Sequence, residues 1–197
     1  MKIDLEHLHH WMCAIRQSPD PIRTLDAFWS GQIKSKEWLI KELHQWCRQE
    51  VSVDIHGGWM GTLASMLFQS NLVISKIRTI DIDPSCSPIA DEMNRLELIQ
   101  GRFESITNNM CDVITNYDVV INTSCEHMSQ PDFDKWLTNV SKQSLIVLQS
   151  NDYKIPEHIR IAKNLKEFEK QSSIDIAWSG ELQLPLYRRF LIIGKKK

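Results

Sequence analysis

The sequence predicts an α/β fold: a three-layer sandwich on a mostly parallel seven-stranded sheet that ends in an antiparallel hairpin, with an N-terminal helical cap. Three observations predict it. From Val51 onward, short runs of strand character alternate with segments of helical spacing, the order that buries a parallel sheet between two helical layers. A glycine-rich turn joins the first of these strands to its helix. The last two strand-like segments follow each other with no helix between them, so they pair antiparallel at a sheet edge. The 197 residues favour one domain, read as a helical cap over 1–50 and a core over 51–197.

The elements follow in order. Between Asp4 and Gln17, Leu5, Leu8, Trp11, Met12 and Ile15 recur at three and four, which predicts an amphipathic helix that Ser18-Pro19-Asp20-Pro21 breaks. A second helical region covers Leu25 to Trp29. After Ser30-Gly31 a third runs from Ser35, its cap, to about Arg48, with Trp38, Leu39, Leu43 and Trp46 inward. Val51, Val53 and Ile55 alternate with polar neighbours as a strand, and Leu63, Met66 and Leu67 keep helical spacing. Lys76 to Asp83 is the second strand. Asp83-Pro84 then reads as an acidic cap and first-turn proline for a helix to Arg95. Arg102 to Thr107 is a third strand, and Tyr117 to Thr123 an apolar fourth, as a strand buried on both faces should be. A helix over Pro131 to Val140, a strand over Ser144 to Gln149 and a helix over Ala162 to Gln171 come next. Ser173 to Trp178 and Tyr187 to Ile193 form the final hairpin, with Gly180 and Pro185 in its connection.

Composition narrows the function classes. A formal net charge of −2 argues against a general nucleic-acid-binding surface, and the tail Lys195 to Lys197 reads as a solvated charge run. No apolar run is long enough to cross a bilayer, and the charged start Met1 to His10 does not resemble a signal peptide, so a cytoplasmic protein is expected. The five cysteines are scattered and contain no C-x-x-C pair, which predicts reduced thiols and no zinc knuckle. His7, His9 and His10 lack a supporting carboxylate or cysteine pattern and read as solvated; no metal site is expected.

The chemistry concentrates at V-D-I-H-G-G-W-M-G, Val53 to Gly61. Gly57, Gly58 and Gly61 allow backbone angles and close approaches that a side chain forbids, and a helix starting at Gly61 or Thr62 aims its unpaired N–H groups at the turn. Strand, glycine turn and helix together mark a nucleotide-like cofactor site. An acid closing an apolar strand about twenty residues on, here in I-D-I-D-P, is the usual partner of such a turn.

These residues resemble the class I S-adenosylmethionine-dependent methyltransferase family, over about Val51 to Lys197. The resemblance implies S-adenosyl-L-methionine as cofactor and transfer of its sulfonium methyl to a nitrogen, oxygen or carbon of an acceptor. It implies that Asp54 faces the methionine end of the cofactor and that His56, Gly57, Gly58 and Trp59 form the turn around it, with His56 standing where a glycine is usual. It further implies Asp81 as the acid that accepts from the ribose hydroxyls, Ile82 beside the adenine, Asn109 in place of the acid that meets the adenine amino group, Met110 and Cys111 along the ring, and Asn122 at the start of a segment over the cofactor's reactive end. Two polar segments, Asn122 to Met128 and Gln149 to Tyr153, follow the fourth and fifth strands, with Glu157 and His158 close behind. Glu126 and His127 are the candidate acid-base pair on the acceptor, and Cys125 is the alternative nucleophile. A small molecule is the preferred acceptor over RNA, DNA or protein. Two other readings stay open: another transfer from the same cofactor, such as its aminocarboxypropyl group, or its use as a regulatory ligand; and a dinucleotide-binding oxidoreductase, whose G-x-G-x-x-G is broken at His56.

Overall fold

The computed structural model describes residues 4–197; the reading of the chain's start, as far as it concerns Met1 to Ile3, lies outside them. The strands form a seven-stranded sheet of order β3-β2-β1-β4-β5-β7-β6, where β1 is Val51–His56, β2 Ile74–Asp81, β3 Phe103–Thr107, β4 Val119–Asn122, β5 Leu145–Asn151, β6 Ile174–Gln183 and β7 Arg188–Lys196. The chain divides into two compact units, one up to Asn108 and the other from Asn109.

In the first unit Asp4 caps α1 (Leu5–Gln17) by accepting from the Glu6 amide, and Asp20 does the same for Arg23 at the start of α2 (Pro21–Asp26). α3 (Ser30–Leu43) departs from the expected range. It starts at Ser30 behind the extended backbone of Trp29, so Gly31 falls in the first turn and Ser35 is buried inside the helix instead of capping it. A glycine is least costly in that first turn, where the amides lack intrahelical partners anyway. Leu39 and Leu43 point inward as expected, whereas Trp46 is exposed beyond the helix end. β1 pairs with β2 and β2 with β3, all parallel, with α4 (Thr62–Phe68) as the first crossover.

The single helix expected over Pro84 to Arg95 is two, α5 (Cys86–Met93) and α6 (Arg95–Ile99). The fully buried Asn94 separates them, and its amide donates to the Ala90 and Gly61 carbonyls, tying the break to the glycine turn. The cap helices share a core with that turn: Trp11, Ala14, Ala27, Met60, Cys86, Ile89 and Met93 form one cluster, flanked by Phe28 and Trp59. The indole of Trp11 donates to Ser65 at 2.9 Å. His7 and His10 are not solvated; they meet Glu97 and Glu92 at 3.0 and 3.1 Å and pin α1 to α6 and α5.

Gly61 caps α4 at φ +72°, and a Cβ there would lie 2.7 Å from the Asn94 amide nitrogen and 2.9 Å from Ala90 Cβ. Gly61→Ala therefore combines a left-handed backbone with overpacking, and we expect a loss of about 1 to 3 kcal/mol in urea unfolding at unchanged m-value. A loss below about 0.5 kcal/mol, the level of an ordinary surface change, would mean that this close approach is not held in solution.

In the second unit β4 and β5 are parallel and β7 pairs antiparallel with both β5 and β6. α7 (Gln130–Thr138) and α8 (Leu165–Ser172) begin at Ser129 and Asn164, whose side chains accept from the amides of Asp132 and Glu167. Phe133, Trp136, Phe168 and Phe190 fill the core with the apolar faces of β4 and β5. The hairpin connection is shorter than expected: Gly180 lies within β6, opposite Leu191, and the turn is confined to Leu184–Tyr187. Nor is Lys196 part of a free tail, since β7 carries it to the end of α7, where it donates to the carbonyls of Thr138 and Val140.

Candidate active site

In the first unit the candidate residues stand at the carboxyl ends of β1 and β2. Gly57 follows β1 directly at φ +70°, and its amide and that of Gly58 both donate to Ile80 of β2. A Cβ on Gly58 would fall 2.6 Å from Thr79 Cβ, so this glycine is required by the strand beside it. Trp59 carries a positive φ of 47°, a conformation that costs a non-glycine residue about 1 to 3 kcal/mol and that collects at functional sites. What holds it is Asp81, the last residue of β2: its Oδ2 accepts from the Trp59 amide at 2.8 Å and its Oδ1 from the Asp83 amide at 3.1 Å. Each carboxylate oxygen retains a lone pair beyond these bonds. Ile82 projects next to it, 70 % exposed.

Asp83 serves a different purpose from the expected helix cap. Its Oδ1 accepts from the amide and hydroxyl of Ser85, which itself occupies the cap position, and its Oδ2 meets Arg23 at 2.6 Å. The Ser85 bonds, followed by Arg23, hold the Asp83 carboxyl below the usual carboxylate range.

Asp54 and His56 do not lie on the surface of the turn. Both are fully buried, and the carboxylate of Asp54 accepts a fork from Arg78, at 2.9 and 2.6 Å, and meets His56 Nε2 at 3.0 Å. Arg78 was not singled out by sequence: β2 also carries Ser75, Lys76 and Thr79, so this arginine stands out only once the register sets it against Asp54 of β1.

In the second unit Asn109 opens a 3-10 turn (Met110–Asp112) and accepts from the Cys111 amide. Asn122, at the end of β4, directs its amide at the sulfurs of Met128 and Met110 and accepts from Ser124. A second 3-10 turn, Cys125–His127, follows. Glu126 is buried: its Oε1 accepts from Asn151 at 2.5 Å and from Arg189 at 2.7 Å, while its Oε2 has no hydrogen-bond partner among the described residues. His127 is exposed and places Nδ1 3.0 Å from the Glu157 carbonyl. Its ring meets that of His158 edge to face, centroids 4.7 Å apart.

Burial pushes the Cys125 thiol up to about 12, with Glu126 adding to the effect, so it stays protonated at neutral pH and is no nucleophile. Arg160 organises this region and carries no sequence signal. It donates to the Met128 and Cys125 carbonyls, lies 4.3 Å over the Phe133 ring, and its amide bonds the Glu126 carbonyl. Burial lowers its pKa.

Parallel strands, glycine turn, acid at the end of β2 and terminal hairpin define the class I S-adenosylmethionine-dependent methyltransferase fold, and the chain has that fold. Solved structures of this class superpose on it. The magnesium protoporphyrin IX methyltransferase of Synechocystis PCC 6803 with bound S-adenosylhomocysteine gives a TM-score of 0.69 at 13 % identity, over 98 % of this chain and 95 % of that one. The N-methyltransferase NodS of Bradyrhizobium japonicum WM9 gives 0.64 at 11 % identity, over 84 % and 96 %. The ribosomal protein L11 methylase of Lactobacillus delbrueckii gives 0.60 at 14 % identity, over 84 % and 78 %. At the level of sequence, neither a protein-family model nor a curated protein matches the chain. Among the described residues, no helix is long and apolar enough to cross a membrane.

Proposed function

We propose that this protein is an S-adenosylmethionine-dependent methyltransferase of a small-molecule acceptor. The observation that carries the reading is Asp81. An acidic side chain at the carboxyl end of β2 clamps the strained Trp59 of the glycine turn and keeps lone pairs for two further donors. That is the chemistry a ribose diol needs, and Ile82 offers an exposed apolar surface beside it for a base.

Gly57, Gly58 and Trp59 give the cofactor its main-chain surface. Asp54 and His56, out of reach of solvent, act by fixing the strand end beneath it. Asn109 and Met110, after β3, are the proposed adenine-side contacts, and Asn122, the last residue of β4, is the proposed contact toward the reactive end. When bound, the cofactor supplies an electrophilic methyl group on its sulfonium. The chain's part is to align an acceptor with it, and Glu126 and His127 orient or deprotonate that acceptor. The solved methyltransferases of this fold act on a porphyrin in one case and a ribosomal protein in another, so the fold leaves the acceptor open. The net charge of −2 favours a small molecule over nucleic acid. Five free cysteines favour the reducing cytoplasm.

A thermal-shift screen tests the reading. S-adenosylmethionine and S-adenosylhomocysteine should each stabilise the protein, by about 2.7 kcal/mol at a hundredfold excess over the dissociation constant. Stabilisation by NAD or NADP without a response to these two would replace it with the oxidoreductase reading.

A further inference from the structure

We propose that Glu126, His127 and His158 form a binding site for one divalent transition-metal cation of the zinc class. Each of the three offers a ligand atom, and these atoms lie within 4.8 Å of one another. Donors around a tetrahedral ion with metal–nitrogen bonds of about 2.0 to 2.1 Å stand roughly 3.4 Å apart, so the three atoms need to draw together by at most about 1.4 Å.

The hydrogen bonds of both rings favour the tautomer that a metal needs. His127 Nδ1 faces the Glu157 carbonyl at 3.0 Å, and His158 Nδ1 faces the Tyr153 carbonyl at 2.7 Å. A carbonyl oxygen only accepts, so in the neutral ring each Nδ1 carries the hydrogen and each Nε2 keeps the lone pair. Backbone carbonyls on the second ring nitrogen are the usual outer partners of metal-binding histidines.

The carboxylate fits as well. Glu126 is 3 % exposed, yet its Oε2 has no partner among the described residues, a state that is unfavourable for a buried carboxylate oxygen unless a ligand relieves it. Its Oε1 is held by Asn151 and Arg189, as ligating carboxylates commonly are. Arg189 is the cation facing this carboxylate, and it weakens the site relative to an isolated His2Glu set without using the second oxygen.

Nor is the approach of His158 to Glu126 a chance meeting of surface side chains. The Arg160 amide bonds the Glu126 carbonyl at 3.0 Å, and its buried guanidinium ties the loop to Cys125 and Met128. Two histidines and one carboxylate leave coordination positions open. On the methyl-transfer reading, from which this last step follows, the open position takes an ionisable oxygen or nitrogen of the acceptor and lowers its pKa.

Chelator-stripped protein is titrated with Co2+ by visible absorption and with Zn2+ by calorimetry. One equivalent should bind. His127→Ala and His158→Ala should each weaken it at least tenfold, since outer-shell partners alone are worth about 10- to 100-fold. Circular dichroism checks the fold of the variants. Should they fail to fold, Co2+ must selectively broaden the His127 and His158 ring resonances of the wild-type protein. Absence of a stoichiometric site, a double variant that binds like wild type, or broadening confined to other histidines overturns the proposal. S-adenosylhomocysteine binding is measured in the same samples: retained without cation binding, it removes the metal site and leaves the methyltransferase reading; lost while the cation still binds, it does the reverse.

Discussion

Asp54→Ala is expected to cost about 3 to 5 kcal/mol of stability, because it removes the fully buried carboxylate on which the Arg78 fork and His56 converge and breaks a buried ion pair from one side. The two side chains share a fork at 2.9 and 2.6 Å, at relative exposures of 0 % and 15 %. His56, with no exposure of its own, loses its 3.0 Å partner in the same substitution. For a chain of this length the loss corresponds to a fall of roughly 6 to 20 °C in Tm. The control is the double variant Asp54→Leu with Arg78→Met. Replacing a buried pair by apolar groups of similar volume is often neutral or stabilising, so much of the loss should return. A single variant that melts within about 2 °C of wild type would show that the fork is not formed in solution.

That network also shows where sequence reading runs out. The alternation of Val51, Val53 and Ile55, the apolar run around Val119–Asn122 and the acid ending β2 were legible because they are local: periodicity reports burial of a strand against its own neighbours. Helix starts were less so. Asp83 has the composition of a cap, yet Arg23 and Ser85 draw its carboxylate into a turn before the helix, and Ser30-Gly31 reads as a break although Trp29 lets α3 begin there. The polar site residues depend on partners far along the chain. Glu126 meets Arg189, Arg160 reaches back to Cys125, and His10 meets Glu92, each across a separation for which periodicity has no signal. For the same reason Glu126 and His127 could be picked out as a titratable pair after β4, while the orphaned oxygen of Glu126 and its approach to His158 could not.

Asp81→Ala should abolish measurable S-adenosylhomocysteine binding, where Asp83→Ala leaves it near wild type. Asp81 supplies the acceptor for two ribose hydroxyls in the proposed complex, and hydrogen bonds to a charged group are worth about 1.5 to 3 kcal/mol each. Two of them amount to roughly 3 to 6 kcal/mol, or about a hundred- to ten-thousandfold in affinity. The substitution has a second effect, since the Trp59 amide loses its 2.8 Å acceptor and nothing then offsets the positive φ of that residue. Asp81→Asn separates the two contributions. An amide oxygen can still accept from Trp59, so the turn should keep its shape, while the charge that strengthens both ribose bonds is gone and affinity should fall by an intermediate amount. Asp83 sits two residues on, but its oxygens are committed to Ser85 and Arg23, and the latter pair is more than a third exposed. Its loss should cost about 1 kcal/mol of stability or less and spare the ligand. Isothermal titration of the three variants with S-adenosylhomocysteine decides the assignment: if Asp83→Ala is the variant that loses binding, the acid that faces the ligand is one pleat further along the chain than Asp81.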